Sequence, residues 1–378
     1  LDWMGPDFAP ITPGDDGLLL LDPKNIIVSD TTPNSVSLAS KLAHTSQTST
    51  TLSLVDNVYF GISVALEGDL LAIGSQDHEF GTARGAVYLF NGVGTDYSGL
   101  TLQNKLAHGS LSGAISLTDQ DRFGSSLALD NGLLAVGARF DNTDGIKRGA
   151  VYLFNGVGIN YSGLNLIGKL ASTSTGGLPN ITLSDGDRFG ISVALDNGLL
   201  AVGAQLDSTG SLYEGAVHLF NGVGTDYSGL THIGKLASTS TGGLPNITLA
   251  ASDFFGTSVS LDGDLLAVGS MGDGSFGAAY LFNGVGSNYS GLTLQNKLTD
   301  GGISGTLSLI SAGNFGSAVT LNENKLVVGA RTDNPGGGSV GAVYIFNNSG
   351  TNYSGLNLVG KLASTSTGGL PNVSVSGA

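Results

Sequence analysis

The stretch that decides the fold runs over residues 121–155, DRFGSSLALDNGLLAVGARFDNTDGIKRGAVYLFN. It holds three short apolar runs, 127–129, 133–136 and 150–154, cut apart by Asn131-Gly132 and by a polar loop. The polar–apolar alternation over 125–129 predicts a strand with one face buried. The unbroken apolar run that follows predicts a strand buried on both faces. The third run is rich in the residues strands favour, and a fourth, over 164–170, follows the turn that begins at Asn155-Gly156. No stretch of the chain carries a 3.6-residue apolar period, so helix is not expected.

The unit recurs. A Phe-Gly pair stands at Phe60, Phe123, Phe189, Phe255 and Phe315, and a Lys-Leu pair at Lys41, Lys105, Lys169, Lys235, Lys297 and Lys361. The connector KLASTSTGGLPNITL is present verbatim at 169 and again at 235. Four strands in a repeat of about 60 residues match one blade of a β-propeller. A single unit cannot bury both faces of its sheet, so neighbours must pack on one another. The reading is an all-β propeller of four-stranded blades with repeats starting at 60, 123, 189, 255 and 315. Residues 17–59 align with the later part of a unit but lack the Phe-Gly strand, which makes them a degenerate sixth copy. Six blades are therefore expected, with five and seven as the alternatives. Residues 1–16 read as a lead-in segment, and 17–378 as one propeller domain.

Composition narrows the class. The chain has 61 Gly, only 12% charged residues and no cysteine. Glycine at that level suits tight turns between short strands. The formal net charge of −15 repels phosphate backbones and anionic membranes, so no nucleic-acid partner is expected. No run approaches the roughly 20 apolar residues of a spanning helix, and membrane insertion is not expected. The absence of cysteine removes disulfides, thiolate metal sites and cysteine nucleophiles.

The run from Phe-Gly through Leu-Ala-Val-Gly-Ala to Gly-Ala-Val-Tyr-Leu-Phe resembles FG-GAP repeats, the blade unit of integrin-α-type propellers and of many bacterial surface proteins. The chain departs from the Gly-Ala-Pro of the pattern, with Gly-Ala-Arg at 137 and 329, Gly-Ala-Gln at 203 and Gly-Ser-Met at 269. A second resemblance, of GLLLLDPKNIIVSD near the N-terminus, is to large filamentous-haemagglutinin-like exoproteins of the two-partner secretion route. Together the resemblances imply a bacterial protein that is extracellular or on the cell surface.

Integrin-like blades often carry a calcium loop, and each unit here offers an Asp after its second strand: Asp77, Asp141, Asp207, Asp273 and Asp333. Ca²⁺ takes six to eight oxygen ligands. One loop gathers several, with Asp141, Asn142 and Asp144, and is the candidate Ca²⁺ site. The competing reading is that these carboxylates accept backbone N–H bonds and define turns. No cofactor is required in either case. The acidic residues before Phe-Gly (Asp119, Asp121, Asp185, Asp187 and Asp253) have Asn314 as their counterpart in the last unit, which suits a turn role better than a metal.

A repeated Asp/Asn-Tyr-Ser-Gly-Leu places Tyr97, Tyr161, Tyr227, Tyr289 and Tyr353 in polar loops. An aromatic platform beside amide or carboxylate oxygens suits sugar recognition, and repetition would give multivalency. The alternative is that each ring covers the edge of its blade. The five histidines share no common repeat position, and His218 stands where other units carry Tyr152 or Tyr280, so no triad or zinc site is indicated. The expected function is non-catalytic adhesion or ligand binding through repeated loops, with a surface glycan or a protein as partner. The alternative is a structural subunit that joins copies of itself into an extracellular filament by exchange of terminal strands. A secreted hydrolase ranks third.

Overall fold

The computed structural model describes residues 27–32 and 35–40 and, from 59 to 370, all but short breaks at 78–81, 94–98, 159, 225, 287, 304–306, 311, 323–324, 334–340, 349–352, 354 and 368–369. Strands β1 (Ile27–Thr32) and β2 (Ser35–Ser40) form an antiparallel hairpin. The first blade is β3 (Phe60–Glu67), β4 (Leu70–Ser75), β5 (Ala86–Asn91) and β6 (Thr101–Leu106). The second is β7 (Phe123–Asp130), β8 (Leu133–Ala138), β9 (Ala150–Asn155) and β10 (Asn165–Leu170). The third is β11 (Phe189–Asp196), β12 (Leu199–Ala204), β13 (Ala216–Asn221) and β14 (Thr231–Leu236). The fourth is β15 (Phe255–Asp262), β16 (Leu265–Ser270), β17 (Ala278–Asn283) and β18 (Thr293–Leu298). The fifth is β19 (Phe315–Asn322), β20 (Lys325–Ala330), β21 (Ala342–Asn348) and β22 (Leu356–Leu362).

Each blade is an antiparallel meander of four strands. The structure is an all-β propeller, and it has five four-stranded blades among the described residues, one of the two alternatives to the favoured six. The degenerate copy read over 17–59 contributes the hairpin β1–β2; residues 17–26 and 41–58 lie outside the described residues, as do the lead-in 1–16 and the terminal stretch 371–378. No helix among the described residues is long and apolar enough to cross a membrane.

The apolar core lies between blades. Leu70, Ala72, Val87 and Leu89 of the first blade share a cluster with Phe123, Leu127 and Val136 of the second. The same arrangement joins the second blade to the third, the third to the fourth and the fourth to the fifth. The central strands, β8 for example, are buried along their whole length, which is why they read as unbroken apolar runs. The first strand of each of the second to fifth blades packs on the first and second strands of the blade before it.

The Phe-Gly pair builds that joint. In the second blade Phe123 pairs with Ala138 and Ser126 with Gly137, so the ladder bulges between them. Gly124 sits in the bulge at φ +86, and a Cβ there would lie 2.5 Å from the Ala86 carbonyl oxygen of the first blade. Its own carbonyl presses on Gly74, where a Cβ would lie 2.0 Å from it. Only paired glycines permit that approach. The Gly124 carbonyl also accepts a bond from Ser63 Oγ at 2.7 Å, and Phe123 N donates to the Arg84 carbonyl at 2.8 Å. The later joints copy it: Ser126 Oγ to Gly190 O, Ser192 Oγ to Gly256 O and Ser258 Oγ to Gly316 O span 2.8, 2.9 and 3.0 Å. At the far end of the inner strands a carboxylate accepts from the next blade's hairpin, Glu67 from Asn131 N at 2.6 Å and Asp130 from Asn197 N at 3.0 Å.

The fifth blade departs from this scheme at three positions. Ala318 replaces the gripping serine and is exposed, Asn322 replaces the carboxylate, and Lys325 replaces the leucine that opens the second strand elsewhere (Leu70, Leu133, Leu199, Leu265). A lysine on this face discourages pairing with a further sheet.

Two alanine substitutions at positive-φ glycines separate the joint from simple backbone strain. Gly198, in the β11–β12 turn at φ +83, has open space around its Cα, so Gly198→Ala is expected to lower stability by about 1–2 kcal/mol. A Cβ at Gly190 would lie 2.4 Å from the Ala150 carbonyl oxygen, and Gly190→Ala is expected to lower it by about 3 kcal/mol or more. Urea denaturation of the two variants checks the difference, and equal losses would remove the joint's claim to a steric basis.

Candidate functional site

The second to fifth blades each contain a polar group assembled from distant parts of the repeat. The Phe-Gly ring meets the edge of an aromatic ring on the third strand: Phe123 with Tyr152 and Phe255 with Tyr280 at 5.2 Å, Phe60 with Tyr88 and Phe315 with Tyr344 at 5.3 Å. The tyrosine hydroxyl then donates to the Asp after the second strand, at 3.1 Å for Tyr152 and Asp141 and 2.5 Å for Tyr280 and Asp273 and for Tyr344 and Asp333. The lysine of the Lys-Leu pair completes the group. Its ammonium lies 3.3 Å from the carboxylate in Lys169–Asp141, 3.0 Å in Lys235–Asp207 and 2.8 Å in Lys297–Asp273. Burial works to raise the Asp207 pKa, but the Thr209 hydroxyl and the Lys235 charge outweigh it and hold the carboxyl below its ordinary value. Asp77 does not belong to this set: Phe60 pairs with Ser75 as Phe123 pairs with Ala138, which aligns Asp77 with Phe140.

That geometry bears on the candidate calcium loop. Asp141 is buried and its carboxylate is engaged by Thr143 N at 2.8 Å, by the Thr143 hydroxyl, by Tyr152 and by Lys169. Asn142 Oδ1 accepts from Lys147 N at 2.9 Å, and Asp144 is an exposed turn residue at φ +60. The loop's three side chains therefore do not converge, and an ammonium group sits where a cation would. Among the described residues no cluster of three or more His, Cys, Asp or Glu could hold a metal ion.

The loop tyrosines fall elsewhere than on an exposed platform. Tyr161, Tyr227, Tyr289 and Tyr353 are all buried, at 1–3% exposure; Tyr97 lies outside the described residues. Each of the four adopts a left-handed φ of 58–59°, and Tyr161 N donates to the Val157 carbonyl at 2.7 Å. The tight turn folds the ring back into the joint with the preceding blade, leaving it no face for a ligand. Tyr227 shares the cluster of the second and third blades, and its hydroxyl has no hydrogen-bond partner.

The carboxylates two residues before Phe-Gly close turns. Asp121, Asp187 and Asp253 accept the backbone N–H of Thr118, Ser184 and Ala250, each at 2.7 Å. Burial raises the pKa of Asp121 and of Asp187 to about 6. Their true counterpart in the fifth blade is Gly313, whose carbonyl accepts from Thr332 N as that of Asp121 does from Phe140 N. Asn314 stands one place later, in line with Arg122 and Arg188.

That later place marks where the blades differ. The residue just before Phe-Gly is Tyr59, Arg122, Arg188, Phe254 and Asn314 in turn, each at positive φ. The residue just after the second strand is Gln76, Arg139, Gln205, Met271 and Arg331, and the loops between second and third strands differ as well. At the opposite end the turns NGVGINYSGL, NGVGTDYSGL and NGVGSNYSGL are close copies. The second–third loops and the residues flanking Phe-Gly thus vary, beside fourth-strand connectors that are verbatim at 169 and 235, while the turns at the opposite end are near-uniform in the first four blades. On the varied end, four cations surround the Phe140 ring: Arg122 at 4.8 Å, Arg188 at 5.0 Å, and Arg139 and Lys147 at 5.2 Å from its centroid. Asp77 lies 3.2 Å from Arg122 Nε. Burial and the charges of Arg122 and Arg188 push the Arg139 pKa down to about 10. The basic cluster is invisible in the overall acidic composition.

The third blade's His218 is a natural variant of the polar group. Its ring meets Phe189 at 5.3 Å, but its Nδ1 faces His232 Nε2 at 3.2 Å and its Nε2 has no partner. Burial, with His232 beside it, holds its pKa well below the usual value. The unfolded chain therefore binds a proton below about pH 6.5 that the folded chain refuses, and stability falls as pH drops through that range. The raised pKa values of Asp121 and Asp187 act in the opposite sense, because there the folded chain takes the proton first. His218→Tyr leaves those carboxylates in place, so they cancel in the comparison. The stability advantage of His218→Tyr over the parent is expected to widen by up to about 1.4 kcal/mol per pH unit below pH 6.5, read from urea melts at pH 7, 6 and 5. A constant gap would contradict a neutral buried imidazole. For the wedge, Tyr227→Phe is expected to be neutral within about 0.5 kcal/mol, because its hydroxyl has no partner. Tyr227→Ala is expected to lose about 3–5 kcal/mol, and equal effects in denaturant would refute its place in the joint.

Comparison with known proteins agrees with the geometry. No curated protein matches the chain. The FG-GAP repeat family model matches residues 55–90, 117–154, 182–220, 249–282 and 311–346, each match ending in or at the edge of the third strand of one blade. Propellers of this repeat are typically non-catalytic binding folds and are typical of extracellular proteins. The chain carries five FG-GAP repeats, one to each blade, and is an FG-GAP-repeat β-propeller.

Proposed function

We propose that the protein is a non-catalytic extracellular adhesion module that holds its ligand, a surface glycan or a protein, on the varied end of the propeller. The observation that carries this reading is the contrast between the two ends. Five nearly identical frames with matched joints give a rigid support, and the residues that change from blade to blade gather where the inner strands begin. The interior polar groups are spent on the frame itself: the Asp–Lys pairs tie strands within a blade, and the tyrosine wedges fill the joints between blades. The exposed apolar residues of the second and third blades also gather at the varied end, with Ile146 at 66% and Leu212 at 60% exposure in equivalent loops. Apolar side chains held out in this way are what a binding surface presents.

The test compares the ends directly. The fluorescently labelled protein is applied to an array of neutral, carboxylated and sulfated oligosaccharides and to immobilised extracellular-matrix proteins. Ile146→Asp with Leu212→Asp is expected to lower binding at least tenfold on whichever spots the parent binds. Ser162→Asp with Ser228→Asp, in the uniform turns, is expected to leave it unchanged. Loss through the uniform turns alone, or no binding to any spot, would overturn the assignment.

A further inference from the structure

The structure assigns an anion-binding function to the cation cluster around Phe140, and we infer that it takes the sulfate or carboxylate groups of an acidic polysaccharide. This deepens the adhesion reading and rests on it. Three of the chain's six arginines and one lysine converge here, in a protein of net charge −15. They come from three places in the repeat and from two blades. Arg122 and Arg188 precede the Phe-Gly pairs of the second and third blades, Arg139 follows β8, and Lys147 stands in the β8–β9 loop.

All four charge centres lie within 5.2 Å of one ring centroid, so no two are farther apart than about 10 Å, roughly one Debye length at 0.1 M salt. They repel one another with little screening. Phe140 offers cation–π attraction on its two faces, and Asp77 supplies the carboxylate that meets Arg122. The side-chain Nε of Arg139 is nevertheless buried with no hydrogen-bond partner. Arg139 differs in this from Arg148, paired with Asp185 at 2.8 Å, and from Arg84, paired with Asp119 at 3.0 Å. The cluster is the part of this surface where positive charge exceeds what the protein itself supplies to meet it.

The chemistry of the ligand follows from the donors. A guanidinium presents a planar fork that matches sulfate and carboxylate oxygens in pairs. Three forks and an ammonium this close together need several anionic groups at short spacing, which consecutive residues of an acidic polysaccharide provide. Tyr213, in the corresponding loop of the third blade, is 41% exposed at φ +57 and lies near Arg188. Its ring supplies the aromatic face on which a sugar stacks.

Isothermal titration calorimetry tests the assignment, using a sulfated heparin-type hexasaccharide, its desulfated N-acetylated counterpart that keeps the carboxylates, a neutral hexasaccharide and poly-L-glutamate. The parent is expected to bind at least one of the two acidic hexasaccharides, with affinity falling steeply between 50 and 200 mM NaCl, and not the neutral one. Which of the two binds more tightly tells sulfate from carboxylate as the preferred group. Arg139→Gln and Arg188→Gln are each expected to weaken binding at least tenfold. Lys147→Gln, in an exposed loop where folding is not at stake, is expected to weaken it at least threefold. Lys325→Gln removes a positive charge from the fifth blade and is expected to change affinity less than twofold. Unchanged affinity in the arginine and lysine variants would overturn the site, and poly-L-glutamate binding as tightly as the better hexasaccharide would overturn the saccharide. If Ile146→Asp with Leu212→Asp abolishes adhesion while the arginine variants retain it, the adhesion reading stands and this assignment falls.

Discussion

The structure depends on a close approach of backbone to backbone. Where one blade meets the next, a glycine carbonyl from the bulged inner strand presses on a glycine of the neighbouring second strand, with no room for a Cβ between them. Everything else at the joint is arranged around that contact. The serine hydroxyl satisfies the carbonyl, the Phe N–H reaches back to the preceding blade, and the apolar side chains on either side close over a core that neither sheet could enclose alone. The Phe and Gly of the repeat therefore do separate jobs. The ring meets the third-strand aromatic of its own blade and fills the core between blades, while the glycine lets the two backbones touch.

The fold was legible because its signals are local. The Phe-Gly bulge, the unbroken second strand and the aromatic third strand each lie within a few residues, and they recur in phase. The blade count was less legible, since residues 17–59 match a unit in strand pattern without the Phe-Gly strand that makes a joint. Side-chain destinations were harder still. A tyrosine in a polar loop reads as exposed, and only the left-handed turn at Tyr161, Tyr227, Tyr289 and Tyr353 sends the ring inward. The Lys-Leu repeat was visible, but its purpose was not, because Lys169 and Asp141 lie far apart in sequence and meet only through the register of β8, β9 and β10. The cation cluster was hidden for a similar reason. Arg122 and Arg188 occupy the same place in successive repeats, and an acidic total charge gave no hint that adjacent blades bring them to one ring.

Charge is used differently in the two parts of the molecule. Inside the blades, acid and base are matched at short range, with Lys169, Lys235 and Lys297 each neutralising a buried carboxylate. Leaving either partner alone in such a place would be strongly unfavourable, so the pairs resist exchange and behave as parts of the frame. At the varied end, positive charge gathers without an equal number of acids, and the rigid blades beneath keep the side chains from dispersing. A stable frame with internal neutrality can support an unneutralised surface that a looser fold would rearrange to avoid.

The altered face of the fifth blade carries a consequence for how such a chain can change in length. The second, third and fourth blades each present the same serine, carboxylate and leucine forward and the same Phe-Gly backward, so a unit duplicated among them meets compatible neighbours on both sides. With Ala318, Asn322 and Lys325 in those forward positions, the fifth blade offers no such reception to a unit placed after it. A unit duplicated among the second, third and fourth blades is thus received on both sides, and the connector repeated verbatim at 169 and 235 leaves two of these blades.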